Sequence, residues 1–148
     1  MPTHHQGNSE EKLALNAYIS LMRCSETVGS DTSRHLVEEK LSIGQFGTLE
    51  ALYHLGPLCQ KEIGAKLLKT GGNITTVVDN LEKRGLVERR KRPEDRRYYS
   101  VALTPDGEDL IARIMPHHVE RITRRMAVLN TEEQKELRRL CRKLGLGA

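Results

Sequence analysis

Hydrophobic residues recur at helical spacing along the first third of the chain. A first helix is predicted to begin near Ser9, and its apolar stripe comprises Leu13, Ala17, Leu21, Cys24 and Val28. A second helix is predicted to begin after Ser42, because Ser42 and Gln45 form a capping-box pair. Gly56 and Pro57 then end this helix, since glycine favours a helix C-terminus and proline cannot continue the helix.

The middle of the chain changes from helical to alternating spacing. Two short helices are predicted over residues 60–68 and 72–84, and Gly85 is suited to end the second of them. The segments VERRK and YYSVALT then alternate with the two-residue period of strands, joined by a turn over residues 92–96. Two close helices followed by a hairpin predict a helix-turn-helix with a β-wing.

The last third of the chain is again helical. Thr104 and Pro105 predict a helix N-terminus, and Pro116 is expected to kink or split the helix that follows. Thr131 and Gln134 form a second capping-box pattern, which predicts the start of a final helix. The apolar seams of the terminal helices favour association with a second copy of the chain. We therefore expect a mainly α protein with a small β-wing: a single domain over residues 1–148, with a winged helix-turn-helix lobe over 41–104 and dimerisation helices over 9–40 and 105–148.

Positive charge is concentrated in the middle of the chain. Residues 60–100 contain eleven Lys or Arg and six Asp or Glu, a net charge of +5. The chain of 148 residues carries +4 in total, so the remainder carries −1. A local positive surface of this kind is typical of a protein that binds the phosphates of DNA.

Several other classes of protein fit the sequence poorly. No apolar run approaches the ~20 residues of a membrane span, and the N-terminus lacks the hydrophobic segment of a secretory signal. Three cysteines at irregular spacing indicate neither a disulfide framework nor a metal knuckle, so a cytoplasmic protein is expected. The pairs His4–His5 and His117–His118 are expected to be solvated, because adjacent helical residues point about 100° apart and cannot readily share a metal ion. The sequence offers no metal, cofactor, nucleophile or phosphate-loop motif, and an enzyme is not expected.

The helix predicted over residues 72–84 has the polarity of a recognition helix, with apolar residues in one narrow arc and short polar side chains opposite. Asn80 is suited to a bidentate contact with adenine, and the Thr76 methyl group to contact with a thymine methyl. The DNA contacts predicted on this helix are Gly71, Gly72, Asn73, Thr75, Thr76, Asp79, Asn80 and Lys83. Those predicted in the wing are Arg89, Arg90, Lys91, Arg92, Asp95, Arg96 and Arg97.

The central segment resembles the winged helix-turn-helix of the multiple-antibiotic-resistance regulator (MarR) family. The resemblance lies in GNITTVVDNLEKRGLVERR and PEDRRYYSVALTPDG, most specifically in the run Asp95-Arg96-Arg97, in Val101-Ala102-Leu103-Thr104 and in Gly107. It covers residues 41–107 strongly and the flanking helices more loosely. Members of the family are homodimers that bind pseudo-palindromic operators, and most are repressors released by phenolic or other hydrophobic ligands or by thiol oxidation.

The resemblance also implies roles for individual residues. Arg97 would enter the minor groove, braced by Asp95, and the polar face of residues 73–83 would lie in the major groove. Many members have arginine where this chain has Thr76 and Asn80, which removes the usual bidentate reader of guanine. We therefore expect an operator rich in A·T pairs, with more of the affinity supplied by the wing.

A small phenolic or hydrophobic effector is implied by the same resemblance. Segments 68–75 and 115–118 are similar to the quinone- and catechol-responsive repressors of the family. The candidate pocket residues, chosen by helical position, are Tyr18, Met22, His35, Phe46, Tyr53, His54 and Met115. Two alternatives stay open. One is a thiol switch, for which Cys59 at a helix start is a better candidate than Cys24 or Cys141 on apolar stripes; the other is a non-specific architectural DNA-binding protein.

Overall fold

Helices make up most of the structure, and a small antiparallel sheet lies near the middle of the chain. The computed structural model describes residues 1–67, 71–95 and 98–147. The helices are α1 (Ser9–Glu38), α2 (Ile43–Leu55), α3 (Gln60–Leu67), α4 (Gly71–Lys83), α5 (Pro105–Met126) and α6 (Thr131–Leu146). The strands β1 (Leu58–Cys59), β2 (Val87–Lys91) and β3 (Tyr99–Leu103) pair in the order β1-β3-β2. The predicted fold class, mainly α with a small β-wing, is confirmed. Among the described residues, no helix combines the length and the hydropathy needed to cross a membrane.

The chain forms two compact units. One comprises Met1–Arg34 and Glu120–Ala148, and the other His35–Val119. The second unit therefore extends at both ends beyond the lobe predicted over residues 41–104. It contains α2, α3, α4 and the sheet. Each of these elements contributes buried side chains to its core, including Leu49, Ile63 and Ile74 from the helices and Val101 from β3.

Local sequence signals set the start and end of α2. The Ser42 hydroxyl accepts a hydrogen bond from the Gln45 backbone N–H at 3.1 Å, and the Gln45 side chain accepts one from the Ser42 N–H at 2.9 Å. This reciprocal pair is the predicted capping box. Gly56 ends the helix with φ +79°, a backbone conformation that side-chain-bearing residues rarely adopt.

The end of α4 is joined tightly to the wing and to α5. Gly85 has φ +72°, and the next N–H, of Leu86, donates to the Leu81 carbonyl at 3.0 Å, which closes the helix. The Thr104 hydroxyl donates to the Gly85 carbonyl at 2.6 Å and accepts from the Gly107 N–H at 3.1 Å. Thr104 thus caps α5, as predicted, and holds the start of α5 against the turn between α4 and β2.

The structure narrows one prediction in the last third of the chain and corrects another. Of the two effects predicted for Pro116, a split does not occur, because α5 continues through it to Met126, and a kink stays a prediction. Pro116 is exposed, so the backbone carbonyl that loses its partner is on a side of the helix that water can reach. The N-cap of α6 is Asn130 with Glu133, not Thr131 with Gln134.

The displaced Gln134 has another structural role. Its side-chain amide donates to the Met126 and Leu129 carbonyls, each at 3.0 Å, and so closes the turn between α5 and α6. The sequence prediction also missed β1, which pairs Leu58 with Val101 and Cys59 with Ser100. Two residues are too few for an alternating pattern to be recognised.

The unit made from the chain ends exposes much apolar surface. All of α6 is described, and none of its residues is buried. The exposed apolar side chains in this unit include Leu13, Leu21, Ile122, Val128, Leu137, Leu140 and Leu144. Polar contacts within the unit include the Thr3 N–H donating to the Asn16 side chain at 2.6 Å and the Arg121 guanidinium donating to the Asp31 carbonyl at 3.5 Å.

Candidate nucleic-acid interface

Helix α4 buries one side and exposes the other. Ile74, Val78 and Leu81 are fully buried in the core. Opposite them, four exposed polar residues follow the spacing of one helix face, and we call them the outer stripe: Asn73, Thr76, Asn80 and Lys83. Gly71 and Gly72 are the first two residues of the helix. The structure therefore brings four of the eight predicted recognition-helix residues to one exposed face.

A second face of α4 carries Thr75, Asp79 and Glu82 and is contacted by neighbouring elements. The Arg89 guanidinium, on β2, lies 2.6 Å from Asp79 Oδ1 and 2.9 Å from Glu82 Oε1. Although Arg89 was predicted among the wing contacts, its side chain is only 22% exposed because it is turned toward α4. The two-residue alternation of β2 carries the signal for this placement, since Arg89 shares a face with the buried Val87.

The other described wing residues differ in their partners. Arg90 and Lys91 are exposed, and Arg90 Nε donates to the Glu88 carboxylate at 2.7 Å. Arg92 is half-buried, because its guanidinium lies 2.7 Å from Glu62 Oε1 on α3. Asp95 is also half-buried. Arg96 and Arg97 lie outside the described residues, so the bracing of Arg97 by Asp95 stays a prediction.

Glu62 joins the wing to the start of α3. Its carboxylate accepts the Cys59 backbone N–H at 3.1 Å, which caps the helix. Hydrogen bonds from the Cys59 side chain, the Cys59 backbone and the Arg92 guanidinium lower the pKa of Glu62 to about 2. Cys59 itself is only partly exposed. Cys24 and Cys141, expected on covered apolar stripes, are both exposed in the single chain.

Of the seven predicted effector-pocket residues, two lie in the unit formed by the chain ends and five in the unit formed by residues 35–119. Tyr18 and Met22 are exposed on α1, in the unit formed by the chain ends. Tyr53 and His54 lie on the outside of α2, with ring centroids 5.4 Å apart. The remaining three, His35, Phe46 and Met115, lie in the unit formed by residues 35–119, where Phe46 is buried in the core and Met115 packs against that core.

His118, which is not among the predicted pocket residues, lies beside His35 and Phe46. Its ring centroid lies 4.4 Å from that of Phe46 and 5.2 Å from that of His35. Burial lowers the pKa of His118, against an opposing effect of the Glu50 charge. Among the described residues, its buried Nδ1 has no hydrogen-bond partner. The expectation that both residues of the His117–His118 pair are solvated is wrong for His118, which continues the inward stripe of Ile111 and Ile114.

The arrangement of α2, α3, α4 and the β2–β3 hairpin is that of a winged helix-turn-helix DNA-binding protein. Residues 41–99 match the profile of the MarR family. The chain is 35% identical over 140 residues to the uncharacterized HTH-type transcriptional regulator YkoM of Bacillus subtilis, covering 94% of this chain and 91% of YkoM. It is 33% identical over 135 residues to the HTH-type transcriptional regulator MhqR of the same organism, covering 91% of this chain and 93% of MhqR.

A similar solved structure is that of BpsR from Bordetella bronchiseptica, whose DNA binding is regulated by 6-hydroxynicotinic acid. The two chains superpose with a TM-score of 0.78 at 25% identity, and the match covers 98% of each. This chain belongs to the MarR family, and it is a DNA-binding transcriptional regulator. The resemblance stated from the sequence is thereby confirmed.

Proposed function

We propose that the protein is a cytoplasmic, homodimeric repressor that binds a pseudo-palindromic operator and is released by a small aromatic effector. The observation that carries the DNA-binding part is the outer stripe of α4, whose polar side chains are exposed while Ile74, Val78 and Leu81 hold the helix on the core. Regulation of this kind needs no catalytic step, because two binding equilibria are coupled through one protein.

The outer stripe is suited to the major groove, and the wing to the DNA backbone beside it. Asn80 can read adenine through two hydrogen bonds, and Thr76 can pack its methyl group on thymine. Lys83 in the outer stripe and Arg90 and Lys91 on β2 are exposed cations suited to phosphates. Within the described part of the chain, Arg90 pairs with Glu88, whereas Lys83 and Lys91 have no ion-pair partner. The proposed operator is rich in A·T pairs, as the sequence predicts.

A homodimer is supported by the exposed apolar surface of the chain ends. Helix α6 has Leu137, Leu140 and Leu144 on one side and buries none of them within the chain. A helix of this kind is stabilised chiefly by packing its apolar face, so a second copy is the partner we propose. Two copies would place two α4 helices in successive major grooves, about 34–36 Å apart.

The effector is proposed to bind at the cluster of His35, Phe46, Met115 and His118. The rings of Phe46 and His118, with centroids 4.4 Å apart, make this cluster aromatic, and the buried Nδ1 of His118 is a polar group suited to a phenol or carboxylate. The regulation of BpsR by 6-hydroxynicotinic acid supports a small hydroxylated aromatic acid as the first probe. Release by thiol oxidation is less well supported, because Cys59 is only partly exposed and a sensing thiol must be accessible.

The experiment that tests operator binding starts with selection of duplexes from a random pool by the purified protein. Fluorescence anisotropy then compares the enriched duplex with a scrambled one at several salt concentrations. We expect the enriched duplex to bind at least ~10³-fold more tightly. Equal affinity, lost together as salt rises, would instead identify a non-specific architectural protein.

The same assay tests the effector. We expect 6-hydroxynicotinic acid, or a related hydroxybenzoic acid from a small panel, to displace the enriched duplex. The His118→Leu variant should bind the duplex as the wild type does but require more effector for displacement. If no acid in the panel displaces DNA, the aromatic-effector proposal fails while operator binding stands.

A further inference from the structure

Arg89 has surroundings unlike those of a DNA contact. Its guanidinium joins three elements: it lies on β2, bonds Asp79 and Glu82 on α4, and donates to Gln60 Oε1 on α3 at 3.1 Å. A planar guanidinium with several donors can satisfy all three acceptors at once. These bonds use three of its five N–H donors and hold the guanidinium against α3 and α4.

The contacts continue from Arg89 onto the polar side of α4. Gln60 accepts from Arg89 through its oxygen, so its nitrogen faces away and donates to Thr75 Oγ1 at 3.0 Å. Thr75 is exposed, one helix face away from the outer stripe. The chain of bonds from β2 through Gln60 to Thr75 therefore fixes α3, α4 and the wing in one arrangement.

Arg89 also balances negative charge on the recognition helix. Asp79 and Glu82 lie three residues apart, and both carboxylates would repel DNA phosphates as well as each other. The guanidinium is only 22% exposed and lies against both. Loss of Arg89 would leave two uncompensated carboxylates beside the surface proposed to face DNA.

We infer that Arg89 is a positioning residue for operator recognition: it holds the wing and α3 against α4, and it neutralises Asp79 and Glu82, without itself contacting DNA. This inference rests on the proposed operator binding. It differs from the sequence prediction, which placed Arg89 beside Arg90 and Lys91 among the DNA contacts. The alternative, that Arg89 neutralises a phosphate, predicts a different dependence on salt.

The test compares Arg89→Met with Arg90→Met, which removes the same charge from the exposed neighbour. Both full-length variants are titrated against the enriched and the scrambled duplex over a range of salt, well below their unfolding temperatures. Arg89→Met should weaken binding to the enriched duplex by about tenfold more than binding to the scrambled duplex, the size of one lost base contact. The uncompensated Asp79 and Glu82 should weaken both duplexes by a smaller common factor, and the salt slope should change by much less than one, because Arg89 itself contacts no phosphate. Arg90→Met should weaken both duplexes by a similar factor and lower the salt slope by about one.

Gln60→Met provides a second route if Arg89→Met unfolds. It breaks the link from Arg89 to Thr75 while leaving the two ion pairs, and it should reduce the preference for the enriched duplex without changing the salt slope. In the Arg89→Met background, Gln60→Met should add little, because the two residues act through one chain of bonds. Arg89→Lys, which retains the charge but not the planar fork, should recover part of the preference.

Three outcomes would overturn the inference. If Arg89→Met weakens both duplexes equally and lowers the salt slope by about one, Arg89 contacts a phosphate. If Arg89→Met, or in its place Gln60→Met, leaves the preference unchanged, the bonds do not position the recognition helix. If the wild-type protein itself binds both duplexes alike, the proposed function fails and this inference fails with it. If the wild type prefers the enriched duplex but Arg89→Met does not behave as expected, only the inference about Arg89 fails.

Discussion

At Gly107 the chain leaves no room for a side chain. A Cβ there would lie 1.9 Å from the Leu86 carbonyl oxygen, which is backbone and cannot rotate away. The same carbonyl accepts the Thr104 N–H at 3.1 Å, so the three residues bring the start of α5 against the turn after α4. A single hydrogen in place of a methyl group therefore decides how closely α5 approaches the base of the wing.

Gly107→Ala is expected to destabilise the protein by about 2 kcal/mol or more, because the backbone must move to relieve the overlap. Urea unfolding at fixed protein concentration measures the change in free energy. Gly44→Ala is the matched control: its Cβ would meet the Val77 side chain at 3.5 Å and the Ser42 hydroxyl oxygen at 3.9 Å, both ordinary contacts. Because alanine favours a helix, this variant should gain about 0.5–1 kcal/mol. Equal stability of the two variants would contradict the close approach at Gly107.

Glu62 should make stability depend on pH in the acid range. Its hydrogen bonds lower its pKa from 4.5 to about 2. As the pH falls, Glu62 is therefore protonated in the unfolded state before it is protonated in the folded state. The stabilisation is complete above pH 4.5 and is lost as pH falls toward about 2. Thermal unfolding of the wild type and Glu62→Gln from neutral pH downward should show a difference in melting temperature that shrinks over this interval. A difference in melting temperature that is the same at every pH would argue against a lowered pKa for Glu62 in the folded protein.

At the scale of secondary-structure elements, α6 shows how one residue shifts a helix start. Both Asn130 and Thr131 are suited to an N-cap, and both have a suitable residue three positions on. The structure uses Asn130 with Glu133, which leaves Gln134 to bond two carbonyls of the preceding turn. The choice between two local signals is thus made by the contacts of the turn.

Asn130→Ala should therefore cost about 1 kcal/mol, the usual effect of losing an N-cap, and Thr131→Ala should cost little. Chemical denaturation of both variants at the same protein concentration gives the comparison. The reverse order of stability would restore Thr131 as the cap.

Pro116 lies within the continuous helix α5 and deprives it of one backbone hydrogen bond. Proline in a helix interior costs about 3 kcal/mol relative to alanine, but it also reduces the entropy of the unfolded chain by about 0.4–1 kcal/mol. Because the native backbone already accommodates the ring, Pro116→Ala is expected to stabilise the protein by about 1–2 kcal/mol. Urea unfolding tests this, and a loss of stability would indicate that the proline ring itself packs in the assembled protein.

At the scale of the whole molecule, the single chain leaves apolar side chains of α6 exposed. Leu140 is 48% exposed and Leu144 68% exposed on the apolar side of α6. Exposed apolar surface of this extent is stabilised by a partner. The proposed dimer would also couple the two DNA-reading helices, since both must fit one operator.

Leu140→Glu should convert the dimer to monomers and weaken binding to the enriched duplex by at least about 100-fold, because one half-site alone is contacted. Light scattering after size exclusion measures the mass, and anisotropy measures the affinity. Leu146→Glu, on the opposite side of α6 and 74% exposed, is the control that should leave both unchanged. A Leu140→Glu variant that remains dimeric would place the interface elsewhere.

Local signals in the sequence determined the order of the elements and most of their ends. Most of these signals act on partners within a few residues, as in the capping box of Ser42 and Gln45, the helix end at Gly85 and the N-cap Thr104. The sequence pattern therefore suffices to find them, although Thr104 also bonds the distant α4–β2 turn. The alternation of β2 and β3, the local positive charge and the match to the MarR family follow from the same stretch of chain. These features predicted the fold class and the exposed face of α4.

The tertiary structure decided which charged and aromatic side chains meet. Arg89 bonds Gln60 across 29 positions and Arg92 bonds Glu62 across 30, so two arginines that the sequence places together in the wing are turned toward α3 and α4. The same distant packing brings His118 onto Phe46 and leaves Tyr53 and His54 on the outside of α2. Sequence spacing describes one element at a time, whereas these partners depend on how elements pack against each other, which only the folded core fixes.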